Sequence, residues 1–293
     1  MGDDARLSGA PGREPGALGA VTGWPVDAAA AGVVLLDGAV AETVGDLDRA
    51  FPWASVSKLL VAVAALVATE EGSLGLDEPA GPPGSTVRHL LAHASGLGPD
   101  SPHPLTEPGV RRIYSNIGFE ILADTLAQHS GMPFTDYLTT GVVLPLAMTG
   151  TRLAPGASPA SGALGPLRDL LTLAGELLAP RLVAPGTLAA ATTVAFPGLA
   201  GVLPGFGRFD PCDWGLGFEL RDGKRRHWTG ARNSAATFGH FGQSGSFLWV
   251  DPVAGVACAA RGDRPFGPWA VDAWPALADA VLEHWGGQGG QGP

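Results

Sequence analysis

The sequence predicts an α+β fold in which an antiparallel β-sheet is flanked by helices and a mostly helical subdomain is inserted between its two halves. Three observations carry this. β-rich runs with tight-turn dipeptides occur near both ends of the chain, the middle third has helical spacing, and one helix is apolar on every side. Hairpin units at opposite ends of a chain with helices between them suggest one antiparallel sheet covered by the terminal helices, with the helical subdomain inserted in the middle.

In chain order, residues 1–27 read as a flexible N-terminal arm, rich in Gly and Pro. Residues 31–36 and 39–44 are strand-like runs around Asp37-Gly38, a dipeptide that favours a tight hairpin. Residues 59–68 have no polar face, which marks a buried central helix; it stops at Gly72. Residues 87–94, 116–130 and 167–178 show helical periodicity and are separated by Pro/Gly-rich loops. β character returns at 214–220, before a second expected hairpin at Asp222-Gly223, and again at 246–250 and 253–260 around Asp251-Pro252. A final amphipathic helix covers 271–285, and 286–293 reads as a disordered tail. The expected division is therefore a sheet subdomain of residues 28–85 and 204–285 around a helical subdomain of residues 86–203, together one domain.

The chain has 293 residues, 45% hydrophobic and 16% charged, which fits a compact globule with a sizeable core. Its net charge of -10 and the absence of a basic run argue against nucleic acid and anionic membrane surfaces as partners. Cys212 and Cys258 form no metal pattern, and no run reads as a membrane span or secretory signal, so the sequence expectation is a cytoplasmic protein. No pattern specifies an oligomeric state.

Chemistry concentrates first at Ser55-Val56-Ser57-Lys58, at the head of the apolar helix. Ser55 and Lys58 stand three apart, on one helix face. An ammonium group at the start of so apolar a helix costs free energy unless it is paired or used. Lys58 and Lys224 are the only lysines, against sixteen arginines, and an amine can lose its proton where a guanidinium cannot. Further along come Leu90-Leu91-Ala92-His93-Ala94-Ser95-Gly96-Leu97, then Tyr114-Ser115-Asn116, then His240-Phe241-Gly242.

This order of motifs, Ser-x-x-Lys, Tyr-x-Asn and His-x-Gly, resembles the serine β-lactamase-like superfamily in its class C β-lactamase, DD-peptidase and family VIII esterase branch. The resemblance runs from about residue 31 to residue 285 and implies the β-lactamase/penicillin-binding-protein-like form of the fold. It also implies a serine hydrolase with an acyl-enzyme on Ser55, no metal and no organic cofactor. In that reading Lys58 is the base for Ser55, and Tyr114 relays a proton to the leaving group and then to and from water. Asn116 would orient Lys58 and touch a substrate amide. His240 would occupy the third-motif position, and Gly242 would keep its strand clear for substrate. The backbone amides of Ser55 and Gln243 would form the oxyanion hole.

One departure bears on substrate. The resemblance implies a cationic Lys in the third motif of class C β-lactamases, whereas histidine is mostly neutral near pH 7. Phe241 also removes a hydroxyl. The expected partner is a small-molecule ester, amide or lactam, with esters placed ahead of lactams. β-Lactamase, D-amino-acid peptidase and acyltransferase activities are the enzymatic alternatives, and a catalytically silent binding or regulatory domain is the other. His93 and Ser95 read as structural. His89 and His93 are four apart, but the Leu-Leu-Ala between them offers no acid and no third ligand is evident, which disfavours zinc. Gly242-Gln243-Ser244-Gly245-Ser246 misses the α/β-hydrolase elbow at its last position.

Overall fold

The structure is a computed structural model and describes residues 16–287. Its strands are β1 (Ala29–Leu35), β2 (Val40–Val44), β3 (Phe51–Pro52), β4 (Arg152–Leu153), β5 (Ala163–Gly165), β6 (Gly201–Leu203), β7 (Gly207–Phe209), β8 (Glu219–Leu220), β9 (Phe238–Gly242), β10 (Ser246–Asp251) and β11 (Val256–Gly262). Its α-helices are α1 (Ser57–Glu70), α2 (Val87–Leu91), α3 (Asn116–Ser130), α4 (Phe134–Leu138), α5 (Leu167–Leu178), α6 (Pro185–Ala191) and α7 (Pro268–Trp285).

Six strands make one antiparallel sheet in the order β2-β1-β11-β10-β9-β8, so the two ends of the chain do share a sheet. The join is the β1–β11 ladder, in which Val33 faces Cys258 and Ala31 faces Ala260. Strand periodicity sorts side chains between the two faces. Val34, Leu248, Val250, Ala257 and Ala259 enter one core with α1 and α5. Val33, Phe247, Trp249, Cys258 and Ala260 enter a second core with Trp274, Leu277 and Val281 of α7. With both faces covered, the sheet is the middle layer of three.

α1 is the spine of the larger core: every residue from Ser57 to Ala68 is buried, so the helix has no solvent face. α3 begins where Ser115 caps it, its hydroxyl accepting from Gly118 N at 3.0 Å, and ends at Gly131 with φ 71°. Two small sheets, β3-β5-β4 and β6-β7, bracket the loops around the head of α1.

Three local expectations are corrected. Within the expected arm, the described residues 16–27 include a 3-10 helix, Ala17–Gly23, whose Ala17, Leu18 and Val21 are buried in the α7-side core, with Leu18 N donating to Glu42 Oε1 at 2.9 Å. Residues 1–15 lie outside the described residues, as do residues 288–293 of the expected tail. The strand expected at 214–220 is reduced to β8, because Gly215 and Gly217 break the run and Gly217 has φ 89°. Asp222-Gly223 turns the chain, but β8 reaches its partner β9 only after a long loop, so no tight hairpin forms there.

Candidate active site

The chain crosses from β3 to α1 through Trp53, Ala54 and Ser55. Ala54 has φ 48°, a left-handed conformation that costs a non-glycine residue on the order of 1 kcal/mol. This bend throws Ser55 into a single 3-10 turn, Ala54–Val56, ahead of the first residue of α1. Ser55 therefore does not cap α1; its hydroxyl is left at the mouth of a cavity of about 250 Å³. Tyr114, Asn116, Trp214, His240 and Gln243 line the same cavity. A larger hollow of about 900 Å³ between the Asp37-Gly38 turn and α5 contains none of these residues.

Lys58, the second residue of α1, is fully buried. Its Nζ lies 2.7 Å from Asn116 Oδ1, 3.0 Å from Ala160 O and 3.5 Å from Ser55 Oγ. It also stands 4.8 Å from the Tyr114 ring centroid. Burial depresses the ammonium to a pKa of about 7, against a weaker upward pull from Glu120 and Asp100. Relative to the ordinary lysine value of 10.5, that disfavours the charged form by roughly 5 kcal/mol.

A neutral amine has two N–H donors and one lone pair. Asn116 Oδ1 and Ala160 O take the two donors at the shorter distances, which leaves the lone pair for the third direction, toward the Ser55 hydroxyl. Asn116 is held in the required flip by its own amide, Nδ2 donating to Asp100 Oδ1 at 2.8 Å. The order Asp100, Asn116, Lys58, Ser55 is one hydrogen-bonded chain.

Tyr114 stands across from the pair. Burial raises its phenol above the ordinary value, and the nearby Ser55 hydroxyl offsets part of the rise, so Tyr114 rests as the neutral phenol. His93 fixes the Tyr114 segment from behind. Its ring lies 4.6 Å from the Tyr114 ring and edge-on to Trp214, and its Nδ1 accepts from Ser115 N at 3.1 Å. That role is structural, as the sequence indicated for His93, while the cap of α3 belongs to Ser115 and leaves Asn116 for Lys58.

His240 is buried on β9. Its Nδ1 donates to the Phe241 carbonyl at 2.7 Å, because that oxygen can only accept. Burial, and after it the Lys58 charge, lowers its pKa to about 3. The third motif therefore presents a neutral imidazole at every pH near neutrality.

Gly242 does sit on β9, but the physical reason differs from the expected one. A Cβ there would stand 2.4 Å from the Trp53 carbonyl oxygen and 2.9 Å from Ser246 Oγ. The glycine lets β9 close onto the backbone that presents Ser55; contact with backbone, not clearance for substrate, excludes a side chain. Gly242→Ala is expected to destabilise the fold by about 1–3 kcal/mol and to slow acylation of Ser55. Urea unfolding read beside active-site labelling checks this. Gln243 borders the cavity at the end of β9, its side-chain Nε2 directed to Phe266 O at 3.2 Å.

Sequence reasoning missed Glu219, which lines the cavity from β8. Its buried carboxylate meets Lys224 Nζ at 2.9 Å, His227 Nε2 at 2.7 Å and Trp228 Nε1 at 2.9 Å. Burial alone would raise its pKa, but His227 and Lys224 hold it down at about 2. The second lysine of the chain is thus spent on an internal ion pair and on the Asp213 carbonyl, 2.7 Å away. Asp100 and the Ala160 carbonyl were also unmarked, since no motif surrounds them. Among the described residues no group of His, Cys, Asp and Glu could hold a metal ion, and no helix is long and apolar enough to cross a membrane.

The chain is similar to several known proteins. A family model described as Beta-lactamase matches residues 17–282. The crystal structure of a β-lactamase from Mycobacterium bovis superposes with a TM-score of 0.90 at 54% identity, covering 92% of this chain and 99% of that one. Among curated proteins, penicillin-binding protein 4* of Bacillus subtilis (strain 168) is 31% identical over 137 residues, 35% of this chain and 30% of that protein. The D-alanyl-D-alanine-carboxypeptidase/endopeptidase AmpH of Escherichia coli (strain K12) is 27% identical over 146 residues, 37% of this chain and 38% of that protein. The chain spans about a third of the length of these curated relatives.

Two expectations change as a result. The cytoplasmic placement is overturned by the relatives, which are named as a penicillin-binding protein and a D-alanyl-D-alanine-carboxypeptidase/endopeptidase. The relatives' names also back the β-lactamase and D-amino-acid peptidase alternatives better than the ester reading.

Proposed function

The chain belongs to the β-lactamase family, and from that premise we propose that it is a serine hydrolase acylated at Ser55, acting on the amide bond of a β-lactam or D-amino-acid peptide. The observation that carries the reading is the buried Lys58 amine, with two acceptors for its N–H groups and its third direction toward Ser55 Oγ at 3.5 Å. That distance is long, as catalytic contacts often are before substrate closes them.

The steps follow from the protonation states. Neutral Lys58 takes the Ser55 proton as Oγ attacks the carbonyl carbon. Negative charge develops on the carbonyl oxygen at the cavity wall formed by Ser55 and Gln243, where backbone amides are worth about 3–4 kcal/mol each in the transition state. The neutral Tyr114 phenol gives its proton to the departing nitrogen or oxygen as the bond to carbon breaks, and it is reprotonated from Lys58. Water then attacks the acyl-enzyme, its proton returning through the same pair, and Ser55 leaves protonated. Phenolate is disfavoured by burial, so Tyr114 passes protons without storing charge.

An ester reading stands second, favoured by one observation: His240 brings no positive charge to meet the carboxylate of a lactam. Turnover of a chromogenic cephalosporin beside a short-chain nitrophenyl ester separates the two. The proposal expects the higher kcat/KM for the cephalosporin. Measurable ester turnover with no lactam turnover would replace it by the ester reading, and no turnover of either with no covalent labelling of Ser55 would leave a silent binding domain.

A further inference from the structure

A second hollow, of about 410 Å³, adjoins the Ser55 cavity, and the two share Tyr114 and Pro204 as a common wall. Its surface is largely apolar, from Pro99, Leu105, Ile113 and Val202. Leu105 and Val202 remain 58% and 56% exposed, an uncovered apolar surface next to the nucleophile. On the same lining stand two exposed arginines, Arg111 and Arg208.

The backbone explains how these cations reach the hollow. Arg112 bridges in parallel to Gly201, and its buried guanidinium is consumed by carbonyls, Nε on Cys212 O at 2.9 Å and an Nη on Ala195 O at 2.8 Å. With Arg112 turned inward, Arg111 faces out. Arg208 arrives on the facing strand of the β6–β7 pair, in register with Val202. Among the described residues neither Arg111 nor Arg208 has an ion pair or a side-chain hydrogen bond. Two unpaired guanidinium groups beside one apolar hollow, in a chain of net charge -10, repel each other and attract an anion. The third motif leaves that anion no other cation, because His240 is neutral and its Nδ1 hydrogen is spent on the Phe241 carbonyl.

We infer that this hollow receives the leaving or acceptor portion of the substrate, and that this portion is an apolar body ending in a carboxylate held by Arg111 and Arg208. The inference rests on the reading of Ser55 as the acylated residue. The side is set by Tyr114: the group that gives a proton to the departing atom forms the shared wall, so the departing group enters the hollow behind it. The volume suits an aromatic ring with a short chain.

A matched pair of acetate esters tests it, one of 4-(4-hydroxyphenyl)butanoate and one of 4-butylphenol, which differ only in the carboxylate at the chain end. The wild-type protein is expected to prefer the carboxylate ester by roughly tenfold in kcat/KM at low salt, with the preference shrinking as salt is added. Arg111→Gln with Arg208→Gln should bring the ratio close to one, and Arg111→Lys with Arg208→Lys should restore most of it. Independently of turnover, calorimetric binding of 4-(4-hydroxyphenyl)butanoate to Ser55→Ala should weaken by a similar factor in the double glutamine variant. A wild-type ratio of one or below, or a preference and an affinity that survive the double substitution, overturns the inference. If neither ester turns over and Ser55 takes no covalent probe, the hydrolase reading fails, while the binding arm still decides whether the hollow holds the anion.

Discussion

Ser55→Ala is expected to abolish covalent labelling by a fluorophosphonate and to lower kcat/KM on any substrate the wild-type protein turns over by about 10⁴–10⁶-fold. The size follows from the absence of a substitute. Of the described residues lining the cavity, only Tyr114 carries another hydroxyl, and burial keeps its proton in place. Ser57 is close in sequence, but its Oγ accepts from Ala163 N at 3.0 Å inside the core, tying β5 to α1. The fold should survive, because the residue lies in a 3-10 turn before the helix and caps nothing. An unchanged urea midpoint beside lost labelling is the pattern that distinguishes a missing nucleophile from a collapsed site. Labelling that persists in Ser55→Ala would move the chemistry to another residue.

Lys58→Arg is the second large effect. It keeps hydrogen-bond donors near Asn116 and Ala160 but replaces the amine and its lone pair by a permanent positive charge. Acylation is expected to slow by about 10²–10⁴-fold, the usual contribution of a positioned base. The pH profile carries the sign. The active form is the neutral amine, so the wild-type rate should rise as pH increases through about 7 and reach a plateau above it. Guanidinium does not titrate in this range, so the variant should lack that step. A rate that falls through pH 7, or an unchanged step in Lys58→Arg, would assign the titration elsewhere; His240, held near 3, could not produce it.

The parts of the fold legible in sequence are those whose signal is local. α3 (Asn116–Ser130) and α5 (Leu167–Leu178) match the expected limits because helical spacing ends at a glycine in one and starts after a proline in the other. The two sheet halves were legible because β1 and β10 are apolar strands beside the turn residues Asp37-Gly38 and Asp251-Pro252, Asp251 Oδ1 accepting from Val253 N and Ala254 N. The 3-10 helix at Ala17–Gly23 was hidden, since Gly and Pro suggest an arm and what holds it in place is distant in sequence, the core beneath α7 and the Glu42 carboxylate.

The candidate site divides in the same way. Ser55, Lys58, Tyr114, Asn116, His240 and Gln243 were named from motifs, and the structure brings all six to one locus. What fixes their chemistry came from loops with no pattern of their own: the Ala160 carbonyl, Asp100 behind Asn116, and His93 behind Tyr114. The rarity of lysine pointed equally to Lys58 and Lys224. Only burial beside an ionised Glu219 shows that Lys224 is a paired cation, whereas among the described residues Lys58 has no carboxylate in hydrogen-bond contact.

The scarcity of lysine also gives the most direct measurement of the central claim, that Lys58 rests as an amine able to take the Ser55 proton. With isotope-labelled lysine, NMR of the folded protein contains signals from two side chains only, and Lys58→Arg removes one of them. The signal so assigned should titrate with a midpoint near pH 7. A midpoint close to the ordinary lysine value of 10.5 would contradict the account, because Ser55 would then face an ammonium ion with no lone pair to offer.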